Sequence, residues 1–255
     1  LVAGILGYQI YQSVPPIPQK IINTNGQVVF TKADINTGQA VWQEMGGQEV
    51  GTIWGHGAYL APDWSADWLH KQATYMLKLM AKKKYSKTYK QINKSQRSLL
   101  QTDLQKILRK NSFNPKTKVM IITPLETKAI KHVANHFTKL FGDDPALETL
   151  RTDYSIPANT VNTAAKRHAL TAFFYWAARA CVTNRPHETI SYTNNWPAER
   201  LVNNTPGPLL YLTSILSVVL LLAGIGALVW YSAFYLSSGF QDVAPKKEPS
   251  FRITA

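Results

Sequence analysis

The 255 residues carry 28 Lys and Arg against 15 Asp and Glu, a formal charge of +13, with 45% hydrophobic residues. That length holds one substantial domain plus membrane segments, and the ordinary apolar content points to a soluble globule for most of the chain. Cys181 is the only cysteine, which excludes an intrachain disulfide framework and leaves a small buried hydrophobe as its plain reading.

In chain order, Leu1 to Tyr8 is apolar but too short to span a bilayer, and Pro15-Pro16 follows soon after. Tyr8, Tyr11 and Gln12 read as an interfacial exit, so residues 1–14 are predicted to be the C-terminal end of a first transmembrane helix, with a cleaved signal peptide as the alternative. The start at Leu1 and the Pro-containing tail ending at Ala255 read as the cut ends of a longer protein. Lys20 to Lys32 reads as a β-hairpin, with Ile21-Ile22 and Val28-Val29-Phe30 flanking an Asn25-Gly26 pair suited to a type I′ turn. Thr37 is predicted to cap a short helix through Trp42, stopped at Gly46-Gly47. A loop rich in Gly, Trp and Pro runs from Gly47 to Trp64. Helical spacing then dominates: Ala66 to Lys83, a second helix opening at Ser95, a third capped by the box Thr123-Pro124-Leu125-Glu126 and closed by Gly142, a short turn at Asp144-Pro145, and a long helix from Asn159 to Val182. The predicted external domain, residues 15–205, is mostly α with one small β-hairpin.

No charged residue occurs between Leu201 and Gln241. Leu209 to Leu236 as a helix is about 40 Å long, more than a hydrocarbon layer of roughly 30 Å, so residues 206–237 are predicted to form a transmembrane helix. Tyr211, Trp230, Tyr231 and Tyr235 suit its interfaces, and Gly224 and Gly226 leave room for a neighbouring helix. Lys246, Lys247 and Arg252 against Asp242 and Glu248 favour a cytoplasmic run over 238–255. The expected layout is span, external domain, span. The charge excess sits elsewhere: Lys71 to Lys118 holds twelve Lys and two Arg against Asp103 alone. No aromatic platform or Arg-rich reading helix accompanies those lysines, so a solvated or membrane-facing surface is the reading and nucleic acid is not.

The domain shows no catalytic constellation. His132 and His136 share a helix face, but the residues between them lack the Glu of a zinc-protease helix, so they read as ordinary surface or core histidines. There is no phosphate loop, no GxGxxG and no CxxCH. The informative stretch is Trp42 to Trp64, whose glycines permit tight turns and whose tryptophans are unusual in a solvent loop. It reads either as a packed structural loop or as a docking surface whose carbonyls could meet a cation.

Gly46-Gly47-Gln48-Glu49-Val50-Gly51-Thr52-Ile53-Trp54-Gly55-His56-Gly57-Ala58-Tyr59-Leu60-Ala61-Pro62-Asp63-Trp64, continuing to His70, resembles the single-chain, quinol-dependent nitric oxide reductases of the haem-copper oxidase superfamily. So do Tyr192-Thr193-Asn194-Asn195-Trp196-Pro197 and the segment from Leu221 to Tyr231. The middle, about Lys82 to Lys118, carries no such signature. The loop is also similar to the cytochrome c subunit of the two-subunit nitric oxide reductases, in which CxxCH precedes a Gly-x-Gly-Ala-Tyr segment. Aligned on Gly55-His56-Gly57-Ala58-Tyr59, the two Cys and the His fall on Gly47, Val50 and Gly51 here. The resemblance therefore implies a cytochrome c-like fold without its haem, its pocket filled by side chains such as Trp42, Trp54 and the aromatics of the long helix.

The same resemblance implies a bacterial inner-membrane, multi-pass enzyme, its soluble domain facing the periplasm or cell exterior. It oxidises a membrane quinol directly and joins two nitric oxide molecules, with two electrons and two protons, into nitrous oxide and water. Two haem b groups and a non-haem iron belong to further transmembrane helices of the same chain, so no catalytic residue is assigned here. It further implies that Gly57, through its carbonyl, and Tyr59 contribute to a Ca²⁺ site completed by those helices. The rival function is a membrane-anchored extracytoplasmic sensor domain of a signalling receptor. The haem-bearing, cytochrome c-oxidising relative is a second rival, against which the missing CxxCH argues.

Overall fold

The computed structural model describes residues 14–236 together with Gly4, Gly7, Tyr8 and Tyr11. Most of the predicted first span, and all of the predicted cytoplasmic run 238–255, lie outside the described residues. The chain divides into two compact units, Leu1–Pro206 and Gly207–Ala255.

The first unit opens with β1 (Lys20–Asn23) and β2 (Val28–Thr31), paired antiparallel with Ile21 opposite Phe30. The turn differs from the expected type I′. Gly26 takes a φ of +77°, whereas Asn25 is not among the positive-φ residues. Asn23 drives this: its carbonyl accepts from the Gly26 amide at 3.0 Å, and its side-chain oxygen accepts from the amides of Asn25 and Gln27. The result is a type I turn followed by a left-handed glycine.

The chain enters α1 (Lys32–Glu44) without a loop. Thr31, not Thr37, is the cap: its hydroxyl accepts from Asp34 N, and the Asp34 carboxylate accepts from the Thr31 amide. An Asp at the third helical position closes the box as Glu would. Ile35, Gly38, Val41 and Trp42 form the buried stripe. A Cβ on Gly38 would lie 2.0 Å from the Ala169 carbonyl oxygen, so a glycine in mid-helix lets two helix backbones meet.

Helix α2 (Trp64–Tyr85) starts two residues before the predicted position because Asp63 caps it, accepting from Ala66 N. Helix α3 (Lys94–Arg109) is capped by Asn93. Two short strands then appear that the sequence did not announce, β3 (Phe113–Asn114) and β4 (Val119–Ile122). With the first hairpin they make a four-stranded sheet ordered β2-β1-β4-β3, in which β1 and β4 run parallel with Lys20 opposite Val119. The fold is therefore mostly helical with a small mixed sheet rather than a lone hairpin.

Helix α4 (Pro124–Leu140) carries the expected box of Thr123 and Glu126. A 3-10 turn (Pro145–Leu147) leads into α5 (Glu148–Asp153). Helix α6 (Ala164–Val182) begins at the Thr163 cap, five residues after the predicted start. Every residue from Ala169 to Val182 except Trp176 is buried, which marks α6 as the central element. It packs on α1, α2 and α4, and Phe30 of the sheet lies 5.8 Å from the Tyr175 ring.

A buried ion pair ties the frame together. Arg179 Nη1 donates to Glu126 Oε1 at 2.8 Å, while Nη2 donates to the Lys110 carbonyl at 2.8 Å. Glu126 Oε2 meanwhile accepts from the Thr123 amide and hydroxyl. The carboxylate thus caps α4 and links it to α6, and its partners offset the cost of burying the charges.

In the second unit, α7 spans Pro208–Tyr231 and a π-helical turn covers Ser232–Leu236. Tyr211–Tyr235 is long and apolar enough to cross a membrane. The Thr213, Ser217 and Ser232 hydroxyls each donate to a carbonyl of the preceding turn, so they need no partner from lipid.

Candidate functional site

The glycine- and tryptophan-rich loop is built around one buried carboxylate. Asp63 is 6% exposed. Its Oδ1 accepts from Ala66 N at 2.8 Å and from the Ser65 hydroxyl. Its Oδ2 accepts from the Thr52 hydroxyl at 2.8 Å and from Gly55 N at 2.6 Å. Thr52 Oγ1 in turn accepts from Gly57 N, and the Thr52 carbonyl accepts from Trp64 N. One side chain therefore caps α2 and fixes the base of the loop that precedes it. The sequence reading placed this aspartate in the motif without assigning it a task. Its place before an apolar helical run is the signal that could have done so.

Gly51 is the tightest point. It is buried, with φ at +125°, a conformation open chiefly to glycine. Its carbonyl accepts from Trp42 Nε1 at 3.1 Å, and a Cβ would come within 2.1 Å of Trp64 Nε1. Trp64 is wholly buried, stacked on Phe174 at 5.7 Å and met edge-on by Phe141 at 5.4 Å and Tyr154 at 5.9 Å. Trp68 stacks on Phe137 at 5.3 Å beside it. Trp42 lies 5.8 Å from Phe173, and Trp54 lies 5.5 Å from Trp176 while its Nε1 donates to the Ala177 carbonyl. Sequence reasoning named Trp42, Trp54 and the aromatics of the long helix as fillers. It missed Trp64 and Trp68, which are the largest fully buried side chains.

The residues at the aligned haem positions do not fit a covalently held haem. Gly47 and Val50, the first and last residues of a 3-10 turn, offer no thiol, and Gly51 offers no imidazole. Any side chain at Gly51 would overlap the Trp64 ring. The tip beyond is different in kind. Gly57 is half-buried, whereas Tyr59 is fully exposed, on a turn closed by Ala58 N donating to the Ala61 carbonyl at 2.8 Å. Tyr59 stands outward from a stiff base, and among the described residues no acidic or imidazole cluster accompanies it.

The second motif docks on the first. Asn194 and Asn195 take left-handed φ values of 55° and 62°, and Trp196-Pro197 is cis. Trp196 Nε1 donates to the Gly55 carbonyl at 2.9 Å, and its ring lies 4.7 Å from that of His56. Arg109, at the last position of α3, holds this region through Asn184, Asn195 and Asn204 side chains and the carbonyls of Thr189 and Asn203. Burial pushes its guanidinium pKa below the usual value. The Asn204 amide donates to the carbonyls of Cys181, Asn195 and Pro197. The two stretches, some 140 residues apart, thus form one surface.

His132 and His136 lie in a groove between α2 and α4 that His70 also lines. The Tyr75 ring stacks flat on His132 at 3.8 Å. Burial, then Lys71, pushes the His136 pKa down, and its Nε2 is buried without a partner. His70 pairs with Glu199 at 2.8 Å. Burial raises the Cys181 thiol well above its usual value, so this cysteine is an inert part of the core.

Residues 18–198 match the family described as the NorB cytochrome c-like domain of nitric oxide reductase. A search among curated proteins gave no match. The family match takes in both docked motifs and the aromatic core and ends just before the apolar helix. That helix and the family together make this a membrane-associated chain related to an oxidoreductase. The chain belongs to the NorB family of nitric oxide reductases, with residues 18–198 as its cytochrome c-like domain.

Proposed function

We propose that this chain is the N-terminal region of a quinol-oxidising nitric oxide reductase and caps the membrane-embedded reaction centre from outside. The observation that carries the reading is the Gly47–Gly51 segment, which has neither thiols nor imidazole and whose Gly51 lies against the Trp64 ring. A cytochrome c-like domain without that attachment offers no relay for electrons from a soluble carrier. A membrane quinol is then the donor, and the reaction is 2 NO + 2 e⁻ + 2 H⁺ → N₂O + H₂O. Two haem b groups and the non-haem iron would sit among further transmembrane helices of the same chain and supply the redox chemistry. This chain's own residues shape and close the cover over them. On this reading residues 1–14 end a first span, 206–237 form a second, and 238–255 begin a cytoplasmic loop in the bacterial inner membrane, with the domain facing the periplasm or cell exterior.

The outward tip of the loop has a role here too. Gly57, through its carbonyl, and Tyr59 would donate oxygens to a Ca²⁺ whose remaining ligands come from those helices. Oxygen-only ligation suits that hard cation, and the Asp63-held base gives the tip a fixed geometry.

The test compares electron donors on membranes containing the full-length protein. Nitric oxide consumption should be driven by a reduced quinol and not by reduced cytochrome c. Turnover with cytochrome c, together with covalent haem on the acid-washed polypeptide, would overturn the proposal.

A further inference from the structure

The lysines from Lys78 to Lys90 frame a cleft of about 720 Å³ between the C-terminal half of α2, the loop after it and Leu201. Its floor is apolar, made by Leu77, Tyr89 and Leu201, and Lys78, Lys82, Lys87 and Lys90 line its rim. All four lysines are exposed, and none takes part in the ion pairs formed among the described residues. The nearby carboxylates are committed elsewhere, Asp103 to Lys84 and Glu199 to His70.

The wall of the cleft is fixed before any ligand arrives. Ser86 ends α2 in a left-handed conformation, its amide donating to the Lys82 carbonyl. Thr88 N donates to Gln91 Oε1, and Gln91 N to the Thr88 carbonyl. The Arg97 guanidinium lies over the Tyr89 ring at 5.8 Å and donates to the carbonyls of Lys90 and Ile92.

We propose that this cleft seats an acidic phospholipid, with the phosphate among the rim lysines and the first acyl carbons on the Leu77–Leu201 floor. Each part of that ligand has a counterpart. Lysines reach along apolar surface while keeping the ammonium at a headgroup, and cationic groups beside an anionic leaflet gain attraction of this kind. A free phosphate would leave the apolar floor unused. A nucleic acid would need a stacking face, and Arg97 already covers Tyr89. A second copy of the chain would bring a like-charged rim. Leu201 also precedes Pro208, the first residue of the apolar helix, by seven positions, so the chain that carries the cleft carries a candidate membrane span.

The experiment uses the whole chain purified in detergent, mixed with phosphatidylglycerol or phosphatidylcholine, with retained lipid counted by native mass spectrometry. At low salt, retention of phosphatidylglycerol should exceed that of phosphatidylcholine at least about ten-fold, and 1 M salt should erase most of the difference. Replacing three of the four rim lysines together, Lys82→Gln, Lys87→Gln and Lys90→Gln, should cut the preference about ten-fold or more. The control triple Lys106→Gln, Lys116→Gln and Lys131→Gln removes the same charge off the cleft and should leave it intact. Equal retention of the two lipids, or equal loss in both triples, overturns the site. Displacement of phosphatidylglycerol by a micromolar single-stranded oligonucleotide overturns the choice of partner.

Discussion

The loop from Gly51 to Trp64 and the basic stretch from Lys71 to Lys118 lie next to each other in sequence and solve opposite problems. In the loop, the key polar groups of the base are used internally, although Trp64 Nε1 stays buried without a partner among the described residues. Asp63 takes four donors, Trp42 and Trp196 spend their indole N–H groups on loop carbonyls, and Gly51 fits beneath Trp64 without room to spare. In the basic stretch, the rim lysines of α2 and the loop after it find no carboxylate partner among the described residues. A segment whose groups satisfy one another tolerates little change, so it keeps a recognisable pattern. A segment whose lysines face outward is held by buried anchors such as Met76, Leu77, Leu100, Leu104 and Leu108 and by the bonds of Arg97 and Arg109, and leaves its lysine surface free for a partner.

The contrast predicts very different responses to substitution. The largest belongs to Asp63. Asp63→Ala removes the α2 cap, worth about 1 kcal/mol, and leaves the half-buried Gly55 amide and Thr52 hydroxyl without their acceptor, a further 1–3 kcal/mol or so. We expect a total loss near 3 kcal/mol by denaturant unfolding of the detergent-solubilised chain, and faster hydrogen exchange at Gly55 and Ala66. Asp63→Asn keeps one acceptor oxygen and should lose about half as much. A loss below about 1 kcal/mol for the alanine variant would mean that the loop base is held by its tryptophans and not by the carboxylate.

How much of this was legible depended on how local each signal was. The box Thr123-Pro124-Leu125-Glu126 lies within one turn and was read directly, as was the helix around Phe173 and Phe174. The start of α1 was misplaced at Thr37, six residues past the true Thr31 cap, and Gly38 sits in mid-helix to admit the Ala169 carbonyl from a helix 131 residues later in sequence. The four-residue strand β4 gains its stability from β1 about a hundred residues away, the two-residue β3 adds on at the β4 edge, and no pattern that short can announce such a pairing. At the site, the spacing of Gly47, Val50 and Gly51 was visible in the sequence. The ring pressed against Gly51 was not, because placing Trp64 there requires the φ of +125° and the Asp63 cap together.

The comparison sharpens within the loop itself. Its base is buried, but Tyr59 at the tip is fully exposed. Tyr59→Phe should therefore leave the stability of the domain unchanged within about 0.5 kcal/mol. If the proposed calcium site is correct, the same change in the full-length enzyme lowers haem occupancy or turnover, by about five-fold, equivalent to roughly 1 kcal/mol. Equal turnover, equal haem content and equal calcium content in variant and parent would remove Tyr59 from that site while leaving the Asp63 account untouched.

The smallest effect on stability is expected where the charge is greatest. Lys82, Lys87 and Lys90 are exposed and without carboxylate partners among the described residues, so replacing all three with glutamine removes no buried contact. Glutamine is close to lysine in helix propensity at Lys82, and the other two lie in the loop after α2. Relief of repulsion among neighbouring ammonium groups offsets any small loss, most visibly at low ionic strength. The unfolding midpoint of the triple variant should thus match the parent within the equivalent of about 0.5 kcal/mol, and any difference should shrink as salt is added. A destabilisation of about 2 kcal/mol or more would show that these lysines take part in the fold. The contrast between a self-satisfied loop and an open basic face would then fail, and the cleft would lose its claim to be free for a lipid.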